Sequence, residues 1–148
     1  MSQDWWFLDS RMAVKADSGM TGGAYTLLEF TAERGFGPPR HVHRAEDEAF
    51  VVMSGSLRGT LGDEEWEAGE GSFVFLPRGI PHAFVVTSAK PLVALQLTNP
   101  AGFEKFVAEL GRPAEGPGLP PPSEPDIPRL AEVAARHGYD IVGPPLGL

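Results

Sequence analysis

The sequence predicts an all-β fold followed by a short helical, Pro-rich extension. Three observations predict it. Stretches of alternating apolar and polar residues recur through the first hundred positions, which is the period of a half-buried strand. Gly (18) and Pro (15) are abundant among 148 residues, as tight turns between many short strands require. Helical spacing of apolar residues is confined to the last third of the chain. The length suits one domain with a real core, and no internal repeat divides it.

The elements follow in order. Trp5-Trp6-Phe7 reads as an N-terminal strand packed on the β domain or on a partner subunit. Ala24–Phe30 alternates and reads as a strand. His41 and His43 are two apart, so on a strand both imidazoles project to one face. Glu48 lies at an odd offset from them. Arg44–Asp47 is polar enough to turn the chain, so that Glu48 opens a new strand running to Met53. Met53-Ser-Gly-Ser and Gly62-Asp-Glu read as hairpin turns around a strand at Ser56–Leu61 and another at Glu65–Glu67. Ala68-Gly-Glu-Gly turns into Ser72–Leu76. Pro77, Gly79 and Pro81 punctuate the approach to His82–Val86, and Leu92–Leu97 is the last strand expected.

Residues 1–100 are therefore expected to form the β domain, with 101–148 packed on it. Phe103, Phe106, Val107 and Leu110 stand at helical spacing, ending at Gly111. Pro113 to Pro128 carries seven prolines and no aromatic residue. Its Pro122-x-x-Pro125 resembles a peptide-recognition ligand, but the acidic neighbours favour a stiff surface connector. A second helix is expected over Pro128–His137, with Asp126 as its cap. His137, just before a Gly stop, reads as a structural residue set against the helix dipole. Pro144 and Pro145 keep the end extended.

The formal net charge is −8 and no basic run is present, which argues against nucleic acid and anionic membrane partners. No apolar stretch reaches membrane-spanning length, and Met1–Phe7 is too short and polar for a leader. The expectation is a soluble, cytoplasmic protein. With no Cys, thiol nucleophiles and iron–sulfur clusters are excluded, and any metal must take nitrogen and oxygen ligands.

His41, His43, Glu48 and His82 form a donor set able to hold one divalent metal. A lone His-x-His is more often a pair of ordinary polar residues. Here the histidines come framed by Gly35, Gly55, Gly71 and Gly79 at regular spacing. The run from Gly35 to Gly55 matches every position of G-x5-H-x-H-x3,4-E-x6-G. The run from Gly71 to Val86 matches G-x5-P-x-G-x2-H-x3-N except at its last position, where Val86 replaces Asn. These two motifs resemble those of the cupin superfamily. The chain is similar to single-domain cupins of the bacterial quercetin dioxygenase type.

The resemblance implies a jelly-roll β-barrel with a metal inside, held by His41, His43, Glu48 and His82. Glu46 is the weaker candidate for the acidic ligand. The metal would be one divalent transition ion: Fe, Mn, Co, Ni, Cu or Zn. By analogy Glu48 would also act as the catalytic base. Parity extends the reading to the cavity. With Glu48 and His82 facing inward, Phe50, Val52, Phe84 and Val86 face inward too. They either line an apolar substrate pocket or fill an ordinary core. The activity implied is a metal-dependent dioxygenase acting on a flavonol, another polyphenol or a similar enolisable aromatic. A cupin isomerase or polyketide cyclase without dioxygen, and a non-catalytic binding module, use the same donors. A small-molecule substrate and a homodimer are the expected partners.

Overall fold

The computed structural model describes residues 3–148. Its elements run β1 (Gln3–Phe7), β2 (Ser10–Ala16), a short α1 (Ser18–Thr21), β3 (Thr26–Ala32), β4 (Pro39–His43), β5 (Asp47–Ser54), β6 (Leu57–Leu61) and β7 (Glu64–Ala68). Then come β8 (Phe73–Leu76), β9 (His82–Val86), β10 (Leu92–Asn99), α2 (Phe103–Leu110), β11 (Arg112–Pro113), α3 (Ile127–Arg136) and β12 (Tyr139–Pro145). The strands form two antiparallel sheets. One has seven strands in the order β11-β1-β2-β3-β10-β5-β8, the other five in the order β12-β4-β9-β6-β7. The sheets face each other over one core. They make a double-sheet jelly roll whose edges stay open instead of closing into a continuous barrel.

Alternation decides which side chains fill the space between the sheets. In β5, Glu48, Phe50 and Val52 are buried while Val51 and Met53 are exposed. In β10, Leu92, Ala94, Gln96 and Thr98 point inward. All five residues of β9 are buried; it runs between β4 and β6 inside the smaller sheet. A one-residue slip in β5 or β10 would turn the buried polar residues to solvent and the exposed apolar ones inward, so the register is strongly specified.

Two turns differ from the sequence expectation or explain it. Gly62-Asp63 closes the β6–β7 hairpin, with Leu61 opposite Glu64, as expected. Gly55 does not close a hairpin. Strand β5 pairs with β10 and β8, whereas β6 lies in the other sheet, so Gly55 carries the chain from sheet to sheet. Its φ of +83° is the left-handed region, and an added Cβ would lie 2.8 Å from the Pro91 carbonyl oxygen. Only Gly serves there.

The C-terminal segment wraps the β core. Helix α2 buries Phe103, Phe106 and Val107, and α3 buries Leu130, Val133 and Ala134. Asp126 caps α3 by accepting from the Arg129 N–H at 3.1 Å. The Glu104 carboxylate ties α2 to the N-terminal half, accepting from the Ser18 N–H at 2.6 Å and from Thr26 Oγ1 at 2.7 Å. His137 caps α3, its Nε2 lying 2.9 Å from Glu109 Oε1. Beyond the two expected helices, this segment gives each sheet an edge strand: β11 on β1, and β12 on β4. The Pro-rich connector lies along the β1–β2 hairpin. Arg11 Nη1 donates to the Gly116 and Gly118 carbonyls at 2.7 and 2.8 Å, and Trp6 Nε1 donates to Gly118 at 3.0 Å. Among the described residues no helix is long and apolar enough to cross a membrane.

Candidate metal centre

Strand β4 ends in the two histidines, and β9 begins with the third. The only register pair between these strands is His41 opposite His82, which brings the imidazoles together across the sheet. A backbone bond assists: the Gly79 N–H donates to the His43 carbonyl at 2.8 Å, fixing the loop before β9 against the end of β4. Gly79 turns there at a φ of +80°. One ring nitrogen from each of His41, His43 and His82 lies within 4.8 Å of the others. His43 and His82 are buried and His41 is partly buried.

Hydrogen bonds set the tautomers. His41 Nδ1 donates to the Pro39 carbonyl at 2.7 Å, and His43 Nδ1 donates to Glu46 Oε1 at 2.9 Å. Both Nε2 atoms thereby face each other, 3.1 Å apart. Either a proton on one of them or a metal ion bound by both satisfies the pair. The separation is also that of neighbouring ligands each about 2.1 Å from one ion. His82 is 1% exposed; its Nδ1 has no hydrogen-bond partner, and its Nε2 has only the Glu48 carboxylate beside it, 3.2 Å away and not aligned as a hydrogen bond. A buried unpartnered polar atom costs about 1–3 kcal/mol, and a metal ligand needs a free lone pair of this kind. The donors present therefore fit a divalent transition metal.

Glu48 stands beside the three histidines. Its Oε2 is 3.2 Å from His82 Nε2, and its Oε1 is 4.0 Å from His43 Nε2. Gln96 Nε2 donates to Oε1 at 2.8 Å. Burial opposes ionisation of Glu48, but the neighbouring imidazoles, His43 foremost, outweigh it and hold the carboxyl down at about 2. Burial, then repulsion from His82 and His43, lowers His41 to about 3, so its ring is neutral near pH 7. Burial also pulls His43 down, but the Glu48 and Glu46 carboxylates more than compensate and raise it.

Glu46 points to the far side of His43, at its Nδ1, while the three-histidine cluster lies at Nε2. It orients the ring from behind. The ring centroid of Tyr139 in β12 is 4.6 Å from that of His43. Burial and the adjacent Glu46 carboxylate push the Tyr139 phenol well above its usual range, so it stays protonated.

A narrow cavity of about 60 Å³ opens on this cluster. His41, His43, Glu48 and Gln96 form its polar end, and Phe36, Phe84, Phe103 and Tyr139 are among its apolar walls. Of the four residues expected from parity, Phe84 lines the cavity. Phe50, Val52 and Val86 lie behind it in the core, with the Phe50 and Phe84 rings edge to face at 5.4 Å. Sequence reasoning missed Gln96. Its phase with Leu92 and Ala94 on an alternating strand marks it as an inward polar residue. It also missed Phe103, Phe106 and Tyr139, whose place at the site follows only from how the C-terminal segment folds back.

Residues 28–98 match the family model described as the cupin domain. Over those residues, just under half of its length, the chain is similar to cupin-domain proteins. Quercetin 2,3-dioxygenase of Bacillus subtilis (strain 168) is 26% identical over 124 residues, which is 82% of this chain. The chain spans only 36% of that protein's length. KdgF from Halomonas sp. has the same fold, with a TM-score of 0.60 at 17% identity, covering 69% of this chain and 90% of its own. Oxalate decarboxylase of Bacillus subtilis aligns with a TM-score of 0.57 at 20% identity, over 64% of this chain and 26% of the decarboxylase.

Proposed function

We propose that this protein is a cupin and a metal-dependent dioxygenase acting on an enolisable aromatic substrate of the flavonol or polyphenol kind. The observation that carries the reading is the convergence of ring nitrogens of His41, His43 and His82 within 4.8 Å of one another, with an ionised Glu48 beside them at the end of an apolar cavity. The similarity to a quercetin dioxygenase supports it. His41, His43 and His82, with Glu48 as fourth ligand, would hold one transition metal. Bound there, the metal would supply Lewis acidity and, if redox-active, a path for electrons between substrate and dioxygen.

The chain's own residues do the rest. Glu48 takes the proton of the substrate hydroxyl on Oε2, while Gln96 holds Oε1 and keeps the carboxylate aimed. The aromatic walls exclude water from the enolate. Both atoms of dioxygen enter the products, so no external reductant is needed.

A second reading draws on the cavity volume. About 60 Å³ is far below the roughly 300 Å³ of typical ligand pockets. A compact enolisable substrate, isomerised or cyclised without dioxygen, fits that volume better.

The test is elemental analysis of the purified protein, followed by oxygen-electrode traces with quercetin after anaerobic loading of Fe, Mn, Co or Ni. Near-stoichiometric metal with oxygen uptake supports the dioxygenase, and Glu48→Gln should then bind metal but turn over little. Metal with no uptake on any enolisable aromatic supports the isomerase or cyclase. Failure to bind any metal overturns both.

For quaternary structure we propose a homodimer through the outer face of the seven-stranded sheet. The exposed Phe73 and Phe75 of β8 flank Val51 and Met53 there, and apolar patches of this kind mark interaction sites. None of these four residues is charged, so a second copy of a chain carrying −8 meets less repulsion there than on its acidic faces. In sedimentation velocity Phe73→Asp should run as a monomer and the parent as a dimer; a monomeric parent removes the idea.

A further inference from the structure

We infer that Leu8 is a gate residue whose side chain divides the metal-facing cavity from an outer groove, and so sets how large a substrate the centre accepts. The inference rests on the reading above that the cavity receives an aromatic substrate. It starts from a backbone anomaly. Leu8 is the one non-glycine among the described residues with positive φ, at 54°. It is the first of two loop residues between Phe7 and Ser10, which pair at the end of the β1–β2 hairpin. Turn chemistry favours Gly at such a position, and an L side chain is strained there. A strained residue that persists is held by its surroundings. Ser10 Oγ donates to the Phe7 carbonyl at 2.6 Å across the turn, and the Asp9 carboxylate accepts from the Ser123 N–H at 3.2 Å. The turn is thus fastened both to itself and to the Pro-rich connector.

The conformation places the Leu8 side chain at a junction. Leu8 and Leu130 line the metal-facing cavity and also the groove of about 210 Å³ outside it. Phe36 and Pro39 are shared by the same two spaces, while Pro125 and Ile127 line only the outer one. The inner space of about 60 Å³ holds little more than the reacting end of an aromatic substrate. Joined to the outer groove, it approaches the size of a ligand pocket. Among the residues at the junction, Leu8 is the one placed by a strained turn; Leu130 belongs to a capped helix.

The test uses protein loaded with Zn, which binds oxygen ligands without redox turnover, and compares quercetin with catechol by titration calorimetry. Catechol needs only the inner cavity; quercetin needs both spaces. Leu8→Ala and Leu8→Gly should each tighten quercetin binding by about tenfold or more, the scale on which one or more side-chain carbons discriminate in an apolar pocket. Catechol binding should stay the same, and Leu8→Phe should weaken quercetin alone. The Gly variant is also free of the left-handed strain and should melt above the Ala variant. If quercetin affinity follows those melting points instead of the lost side chain, the turn's stability is responsible and the gate is wrong. An unchanged quercetin-to-catechol ratio overturns the gate while leaving the substrate reading intact. If Zn binds but neither probe binds any variant, the aromatic-substrate reading fails and takes the gate with it.

Discussion

The stretch from Gly35 to Val86 and the stretch from Ala101 to Leu148 contribute to the same site in different ways. The first supplies every candidate metal donor, on β4, β5 and β9. The second supplies no donor among them. It supplies the Phe103, Phe106 and Tyr139 walls, the helices that cover them, and the strand that supports β4. The donors depend on short, fixed spacings, whereas the walls depend on chain that returns from far away. Chemistry of this kind can be written locally; its enclosure cannot.

Removing a donor should break that division most sharply. His82→Ala is expected to reduce bound metal from near one per chain to near zero, read by elemental analysis, while the fold survives as judged by circular dichroism. Metal retained at the parent level would mean that His82 is not a ligand. Truncating the cover should have the converse effect. The Phe106 ring packs edge to face with Phe7 at 5.3 Å and Tyr139 at 5.0 Å. Phe106→Ala should cost about 3–5 kcal/mol of stability in urea unfolding, with metal stoichiometry unchanged in the protein that remains folded. A loss below about 1 kcal/mol would show the cover to be energetically separate from the core.

Glu46 joins the two stretches, since it accepts from His43 and its carboxylate helps hold the Tyr139 phenol protonated. Replacing a carboxylate behind a metal-binding histidine typically lowers affinity 10–100-fold. Glu46→Gln should fall in that range in a competition titration with a chelator, and Tyr139→Phe should have a smaller effect. Equal affinity in all three proteins would reduce Glu46 to a packing residue.

The smallest effect concerns the tie between α2 and the N-terminal half. Burial of Glu104 would raise its pKa, but hydrogen bonds from Ser18 and Thr26 outweigh this and lower it below the ordinary 4.5. A depressed carboxylate stabilises the fold above its unfolded pKa, and that contribution fades as pH falls through the folded value. Thermal midpoints should therefore be level above about pH 5 and fall below 4.5. Glu104→Gln should lower the neutral-pH midpoint slightly and flatten the acid limb. An unaltered acid limb would place the dependence elsewhere.

Much of the fold was legible because strands and turns have short-range signatures. The alternation in β3, β5 and β10, the Gly62-Asp63 hairpin, the apolar spacing of α2 and the Asp126 cap of α3 all stand where local pattern puts them. Three strands were not legible, one of them the two-residue β11 (Arg112–Pro113). Strand β2 carries Lys15 and Arg11 among small apolar residues, and β12 ends in Gly143-Pro144-Pro145, which reads as irregular chain. Pro is tolerated there because β12 is an edge strand with register shifts against β4. Gly55 was misread for a related reason: a glycine turn looks the same whether it closes a hairpin or passes between sheets.

By itself, then, the sequence determined the all-β class and the two longer helices, and it singled out His41, His43, Glu48 and His82 as candidate donors, because period and spacing act over a few residues. Only the tertiary structure decided that His82 faces His41 across β4 and β9, and that Glu46 supports His43 from behind. It also decided that Gln96 aims Glu48, and that a strained leucine sits where the inner cavity meets the outer groove. These are contacts between segments distant in the chain. They arise when two sheets pack face to face, and no local pattern encodes them.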